Sequence, residues 1–139
     1  MELRKLLGIL VLTPMLASAA QAGDPAKGEK TFKRCKSCHA ITDEDGTKIV
    51  KGGKSGPNLY GVIGRTVGTL EGFKYGDSIV AAGAAGIVWD EENLAIYVAD
   101  PKAWLQDVLD DSSAKSKMTF KLKKGGDDMA AYLATLTPS

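Results

Sequence analysis

The segment Cys35-Lys36-Ser37-Cys38-His39 constrains this chain more than any other part of its sequence. It holds both cysteines and the only histidine of the protein. Two thiols separated by two residues and followed directly by a histidine form the pattern that attaches a c-type haem. The thiols add across the vinyl groups of the haem, and the histidine supplies an imidazole nitrogen to one axial face of the iron. The sequence therefore predicts a domain built around one covalently bound haem c.

Three other uses of this segment explain less of it. A thioredoxin-like redox pair follows a strand and precedes a helix, whereas residues 24–34 have the pattern of a helix. A closed zinc site takes four ligands, so the two cysteines and one histidine would have to be joined by carboxylates. A structural disulfide would leave His39 without a role. We therefore favour haem attachment.

The first 22 residues have the parts of a secretory signal peptide. A basic start is followed by an apolar run over residues 6–16 and by a cleavage site at Ala20-Gln21-Ala22. The run is shorter than the roughly 20 residues of a membrane-spanning helix, and Pro14 interrupts it. We expect residues 1–22 to be cleaved on export. Residues 23–139 should then form one soluble domain in the periplasm, without membrane insertion.

The predicted mature chain is formally neutral, but its charges are separated. Residues 90–111 carry seven acids and one lysine, whereas residues 115–124 carry five lysines and no acid. Such a separation gives the protein a dipole that can orient it towards a charged partner. We expect no nucleic acid among its partners.

Helix signals predict an all-α domain with four or five helices and long loops. Asp24-Pro25, Asp90-Glu91-Glu92 and Asp100-Pro101 are typical helix starts, and residues 77–82 are long enough for one or two further turns. Glycines and turn pairs make residues 43–68 an expected irregular loop. A loop of this length needs something to wrap around, and a haem is suitable.

The last helix has the clearest pattern. Its first turn is acidic, and Met129, Tyr132, Leu133 and Leu136 follow at helical spacing. Gly28 and Phe32 lie one turn apart on the first helix, and a glycine there indicates close approach of another backbone. We expect these two faces to pack together.

The second axial ligand is predicted from the methionines that remain after cleavage. Met129 belongs to the apolar stripe of the last helix, so we interpret it as a core residue. Met118 lies in an unpatterned stretch between helices, and we assign its thioether to the iron. Ligation by a lysine or an open sixth position are the alternatives. Iron held by His39 and Met118 has both faces filled, which predicts an electron carrier and not an enzyme.

The mature chain resembles the class I cytochromes c, and most closely the cytochromes c2 of purple and related alphaproteobacteria. The resemblance rests on an ordered set of elements that spans nearly all of residues 23–139. These are Gly28 and Phe32 before Cys35-Lys36-Ser37-Cys38-His39, then Gly56-Pro57-Asn58-Leu59-Tyr60-Gly61, Gly64-Arg65, Gly72-Phe73-Lys74-Tyr75, Trp89-Asp90-Glu91-Glu92, Tyr97, and Lys117-Met118-Thr119-Phe120.

The resemblance implies roles for residues around both axial ligands. The Pro57 carbonyl would accept a hydrogen bond from the ring of His39 and so fix the imidazole. Leu59 would pack on the histidine side of the haem. Tyr97 would donate a hydrogen bond to the sulfur of Met118.

The resemblance also implies a site for a buried haem propionate. Tyr75 and Trp89 would donate hydrogen bonds to it, and Arg65 would supply positive charge nearby. Two intervals, from His39 to Pro57 and from Trp89 to Met118, are longer than in the short mitochondrial form, which leaves the path into Met118 open.

The family implies a diffusible periplasmic electron shuttle. It would take electrons from the cytochrome bc complex and pass them to a photosynthetic reaction centre, a terminal oxidase, or both. A dedicated acceptor for one periplasmic dehydrogenase, and a peroxidase or gas-binding protein with an open sixth site, are the alternative functions. We expect a monomer that docks on acidic partners through lysines around the haem edge, namely Lys36, Lys54, Lys115, Lys117, Lys121 and Lys123.

Overall fold

Five α-helices joined by long loops make up residues 23–139, the part of the chain that this computed structural model describes. The expected signal peptide, residues 1–22, lies outside the described residues. Between residues 23 and 139 no helix combines the length and the apolar character needed to cross a membrane. The helices are α1 (Pro25–Thr31), α2 (Asp77–Ala84), α3 (Glu91–Ala99), α4 (Pro101–Val108) and α5 (Gly126–Ala134), and a 3-10 turn (Phe32–Arg34) follows α1.

Three of the helices begin at the aspartates that the sequence predicts. The side chain of Asp24 caps α1, and that of Asp100 caps α4 by accepting from the backbone N–H of Ala103 at 3.1 Å. At α3 the cap is reciprocal, because Asp90 accepts from the backbone N–H of Asn93 at 2.7 Å and Asn93 accepts from that of Asp90 at 2.9 Å. Helix starts were predictable because these signals act within one turn.

Helices α1 and α5 pack directly against each other, as predicted. A Cβ atom at Gly28 would collide with the backbone carbonyl of Asp128 and would lie 2.8 Å from Cβ of Tyr132. One turn later the rings of Phe32 and Tyr132 pack with their centroids 6.0 Å apart. Met129 is only 2% exposed, which agrees with its interpretation as a core residue. Any side chain at position 28 would push the two helices apart.

A short β-hairpin lies where the sequence analysis predicts only irregular structure. Strand β1 (Ile41–Thr42) pairs antiparallel with β2 (Lys48–Val50). The carboxylate of Asp43 closes the turn by accepting from the backbone N–H groups of Asp45 at 3.0 Å and Thr47 at 2.8 Å. The expectation of a loop was therefore wrong for residues 48–50, whereas residues 51–65 form neither helix nor strand.

Three aromatic side chains form the packed wall between α3, α4 and the preceding loop. Trp89 stacks on Trp104 with ring centroids 5.1 Å apart. The ring centroid of Tyr97 lies 4.9 Å from that of Trp89 and 5.4 Å from that of Trp104. All three are less than 8% exposed. Buried aromatic rings contribute large apolar area and prefer such offset and edge-on arrangements.

The connection from α4 to α5, residues 109–125, is called the Met118 loop below. It begins with Asp110 in a left-handed conformation at φ 46°. The amide of Gln106 then donates to the carbonyl of Ser112 at 2.9 Å, and Asp111 accepts from the backbone N–H of Ser113 at 2.9 Å. These contacts fold the start of the Met118 loop into a tight turn beside α4.

Candidate functional site

A cavity of about 350 Å³ lies between the Cys35–His39 segment and the Met118 loop. Cys35 is the one predicted site residue that does not line it, and its half-buried side chain packs against the core. The structure therefore brings the predicted site together. The nine predicted residues that line the cavity are Cys38, His39, Pro57, Leu59, Arg65, Tyr75, Trp89, Tyr97 and Met118.

Backbone hydrogen bonds fix the Cys35–His39 segment. The N–H groups of Cys38 and His39 both donate to the carbonyl of Cys35, at 3.2 and 3.0 Å, which forms a tight turn after α1. The backbone N–H of Gly53 donates to the carbonyl of Lys36 at 2.9 Å, and that of Gly56 to the carbonyl of Cys38 at 2.8 Å. The loop that follows the β-hairpin is therefore hydrogen-bonded to the Cys35–His39 turn and holds it in place.

The ring of His39 has one nitrogen engaged and one available. Its Nδ1–H donates to the carbonyl of Pro57 at 2.8 Å, which places the lone pair on Nε2. Burial lowers the pKa of His39, and the hydrogen bond to Pro57 offsets this in part. A Cβ atom at Gly56 would lie only 2.6 Å from Nδ1, so glycine leaves room for the ring. The result is a neutral, oriented imidazole suited to binding a metal.

The two cysteines lie in different surroundings, and neither forms a disulfide. Burial raises the pKa of the Cys35 thiol to about 11. Cys38 is exposed, and hydrogen bonds from the hydroxyls of Ser55 and Ser37 lower its pKa. Both thiols therefore remain free for addition to a vinyl group.

Met118 reaches the cavity from the opposite segment of the chain. Its side chain is half-buried, and its backbone carbonyl accepts from the hydroxyl of Ser116 at 2.8 Å. Burial raises the pKa of Tyr97, and the nearby side chain of Ser116 offsets this in part. The hydrogen bond from Tyr97 to the sulfur of Met118 therefore stays a prediction.

Arg65 places a positive charge on the cavity wall. Its guanidinium donates to the carbonyls of Asn58 at 3.1 Å and Tyr60 at 2.6 Å. Burial lowers the pKa of Arg65, and the contact with Tyr75 offsets this in part. No carboxylate pairs with Arg65 in the described part of the chain. A half-buried cation without an anion favours binding of an anionic group such as a carboxylate.

Sequence reasoning missed most of the apolar wall. Sequence pattern does not distinguish an apolar side chain that faces the cavity from one in the core, although Phe73 and Phe120 stood inside quoted family elements. The apolar residues that were missed are Val62, Phe73, Ile79, Leu94, Leu105 and Phe120.

The six lysines predicted to dock partners are all exposed. Lys115 and Lys117 line the cavity, as does Lys74, which was not predicted. Lys121 differs from the others because its Nζ lies 2.9 Å from a carboxylate oxygen of Asp100. It is therefore already paired with an acid of the protein itself.

The chemistry of this donor set fits a haem. The thiol of Cys38, an oriented imidazole and a thioether line a mainly apolar cavity, and the thiol of Cys35 lies three residues before that of Cys38 in the chain. The cavity wall also holds a cation that has no acidic partner between residues 23 and 139. A c-type haem requires two thiols, axial nitrogen or sulfur ligands, apolar contact for its ring and polar groups for its propionates.

Comparison with known proteins identifies the family. No family model matches the sequence. The chain is 62% identical over 122 residues to cytochrome c2 of Rhodobacter capsulatus, covering 88% of this chain and 89% of that protein. The chain belongs to the cytochrome c2 family. It is also 52% identical over 132 residues to cytochrome c-550 of Paracoccus denitrificans, covering 94% of this chain and 85% of that protein.

Solved structures of cytochrome c2 and its relatives share the fold. Cytochrome c2 from Rhodobacter capsulatus matches with a TM-score of 0.82 at 62% identity, covering 84% of this chain and 100% of that one. Ferric cytochrome c-550 from Paracoccus versutus matches with a TM-score of 0.79 at 56% identity, covering 84% and 99%. The predicted class I cytochrome c fold is confirmed. As a cytochrome c2, the chain is an electron carrier with one covalently attached haem c.

Proposed function

We propose that this cytochrome c2 is a periplasmic single-electron carrier whose iron is held between His39 and Met118. One observation carries the proposal: both side chains line the same cavity, and Pro57 orients the ring of His39 so that Nε2 is available. Cys35 and Cys38 would hold the haem covalently. When bound, the haem supplies a one-electron couple, and the soft sulfur of methionine favours Fe(II) and so raises the reduction potential.

The remaining cavity residues would orient the ligands and receive the propionate. Pro57 fixes His39 through the hydrogen bond at 2.8 Å, and Leu59 adds apolar contact on the same side. Tyr97 would reach Met118 through its neighbour Ser116 or directly by its hydroxyl.

Tyr75, Trp89 and Arg65 would form the propionate site. All three residues line the cavity, and the guanidinium of Arg65 is held by the carbonyls of Asn58 and Tyr60. A propionate there would pair with the half-buried cation, whose charge no carboxylate between residues 23 and 139 neutralises. This pairing would lower the cost of burying both charges.

The absence of enzymatic activity would follow from the ligand pair. A thioether and an imidazole bound on opposite faces leave no coordination position for dioxygen, peroxide or an organic substrate. The chain's residues would then hold the group in place and exclude water, and they would transfer no proton or substrate fragment.

Its partners would be the cytochrome bc complex as donor and a photosynthetic reaction centre or terminal oxidase as acceptor. Export by residues 1–22 would place the monomeric protein in the periplasm beside these membrane complexes. Lysines at the cavity mouth, with Lys115 and Lys117 lining it, would orient the cavity towards acidic partners. Lys36, Lys54, Lys121 and Lys123 would extend this basic surface.

Visible spectroscopy of the mature haem protein tests the proposal. We expect a methionine-to-iron charge-transfer band in the oxidised form and no binding of carbon monoxide to the reduced form. Carbon monoxide binding by the wild-type protein would contradict the closed iron and favour a peroxidase or gas-binding protein instead.

Stopped-flow kinetics with purified bc complex tests the docking surface. The rate of association should fall steeply as salt is added, because charge attraction is screened within about 10 Å at 0.1 M ionic strength. Lys117→Gln should lower this rate, whereas Lys27→Gln on the exposed face of α1 should leave it unchanged. Association that does not depend on salt would refute docking through these lysines.

A further inference from the structure

The Met118 loop has cavities on two sides. Besides the haem cavity, a second cavity of about 220 Å³ lies between the loop and the start of α4. Met118 and Ser116 line both cavities. A side chain beside a pocket that is open to solvent makes fewer dispersion contacts on that side than one enclosed by protein atoms. The position of Met118 therefore depends less on packing and more on the individual bonds that hold its loop.

Few bonds hold the loop near Met118. The backbone N–H of Lys115 donates to the hydroxyl of Ser78 at 3.0 Å, and that of Leu122 donates to the carbonyl of Val98 at 2.7 Å. Between these two points, the ion pair of Lys121 with Asp100, at 2.9 Å, is the one polar bond from the loop to the start of α4 within residues 23–139. The guanidinium of Arg34 also lies over the ring of Phe120. It is also the single salt bridge found between residues 23 and 139.

The ion pair joins two walls of the second cavity. Asp100 and Lys121 both line that cavity, together with Met118. Asp100 is a fixed anchor, because it caps α4 by accepting from the backbone N–H of Ala103 at 3.1 Å and precedes the buried Pro101. The hydrogen bond from Lys121 lowers the pKa of Asp100, so the carboxylate is ionised at neutral pH.

We propose that the Asp100–Lys121 ion pair positions the Met118 loop and so keeps the thioether on the iron. The inference rests on the proposed ligation by Met118. Lys121 then differs in role from the other exposed lysines, since it acts within the protein. Breaking the pair lets the loop move towards the second cavity, which raises the fraction of molecules whose iron is open to an added ligand.

Imidazole binding to the oxidised haem protein tests the inference. Asp100→Asn keeps a side chain that can cap α4 but removes the negative charge. Lys121→Met removes the positive charge and keeps an unbranched side chain of similar length. Because apparent affinity scales with the open fraction, each variant should bind added imidazole about two- to fivefold more tightly, the range expected for an exposed ion pair. The double variant should gain no more than either single one.

Lys124→Met is the matched control, because it removes the charge of another lysine in the same loop. Lys124 forms no salt bridge with any residue between 23 and 139. It should bind imidazole as the wild type does. Unchanged affinity in both single variants, an equal gain in the control, or additive gains in the double variant would each refute the inference. A wild-type protein without the methionine-to-iron band would instead refute the proposed ligation.

Discussion

The two segments that would supply the proposed axial ligands are held in different ways. On the histidine side, the backbone of Gly53 and Gly56 is hydrogen-bonded to the Cys35–His39 turn, and Pro57 binds the ring itself. On the methionine side, one backbone hydrogen bond from Leu122 to Val98 and side-chain contacts such as the ion pair of Lys121 with Asp100 hold the loop, and a second cavity adjoins Met118.

This difference separates a fixed ligand from a replaceable one. The motion of a side chain does not break the backbone hydrogen bonds of a tight turn, and both thiols of this turn would be attached to the haem in the proposed site. Met118 is neither attached covalently nor enclosed by packing on all sides. We therefore expect changes of ligand to occur at Met118. Substitutions on the methionine side should alter the ligation of the iron, whereas those on the histidine side should lower the stability of the fold.

Met118→Ala should have the largest effect. Loss of the thioether opens one face of the iron and removes the ligand that favours Fe(II), so the reduction potential should fall by an amount on the order of a few hundred mV, within the roughly 0.8 V that axial ligands span. A redox titration with visible spectra measures this, and the reduced variant should bind carbon monoxide. Met129→Leu, a buried core change, should keep the wild-type potential. An unchanged spectrum in Met118→Ala would show that another residue is the ligand.

Gly56→Ala should have the next largest effect, on the histidine side. The new Cβ would lie 2.6 Å from Nδ1 of His39 in a segment that backbone bonds prevent from moving. Such overpacking costs about 1–3 kcal/mol of stability. Denaturant unfolding of the haem protein measures it, and Lys51→Ala at an exposed position of the same loop serves as the control. A variant as stable as the wild type would mean that the histidine segment can shift to make room for the new Cβ, and so is held no more tightly than the Met118 loop.

The sequence predicted the histidine side better than the methionine side, for a physical reason. The predicted haem-attachment motif lies within five consecutive residues, 35–39, and helix caps such as Asp24 act within one turn. A local sequence pattern is therefore enough to predict both features. The ion pair of Lys121 with Asp100 joins residues far apart in sequence, and its existence depends on the path of an unusually long loop. Contacts of that kind cannot be derived from spacing.

Local pattern also failed at one short element. The hairpin at residues 41–50 is stabilised by a side-chain turn at Asp43 within a segment rich in turn residues. Its strands hold two and three residues, too few to show a periodic pattern. The apolar residues of the cavity wall were not predicted either. In the sequence, an apolar residue that would contact the haem cannot be distinguished from one that packs in the core.

The smallest expected effect concerns the one aromatic contact that joins the two sides. The guanidinium carbon of Arg34 lies 5.4 Å from the ring centroid of Phe120, so the residue before Cys35 contacts the loop two positions after Met118. Arg34→Gln should weaken retention of Met118 by about 0.5–1 kcal/mol, the size of an exposed cation–π contact. The denaturant midpoint for loss of the methionine-to-iron band measures this, and Lys33→Gln is the control from the same turn. If Phe120→Leu abolishes the effect of Arg34→Gln, the contact itself ties the two sides together; if the effects add, the two sides are held independently.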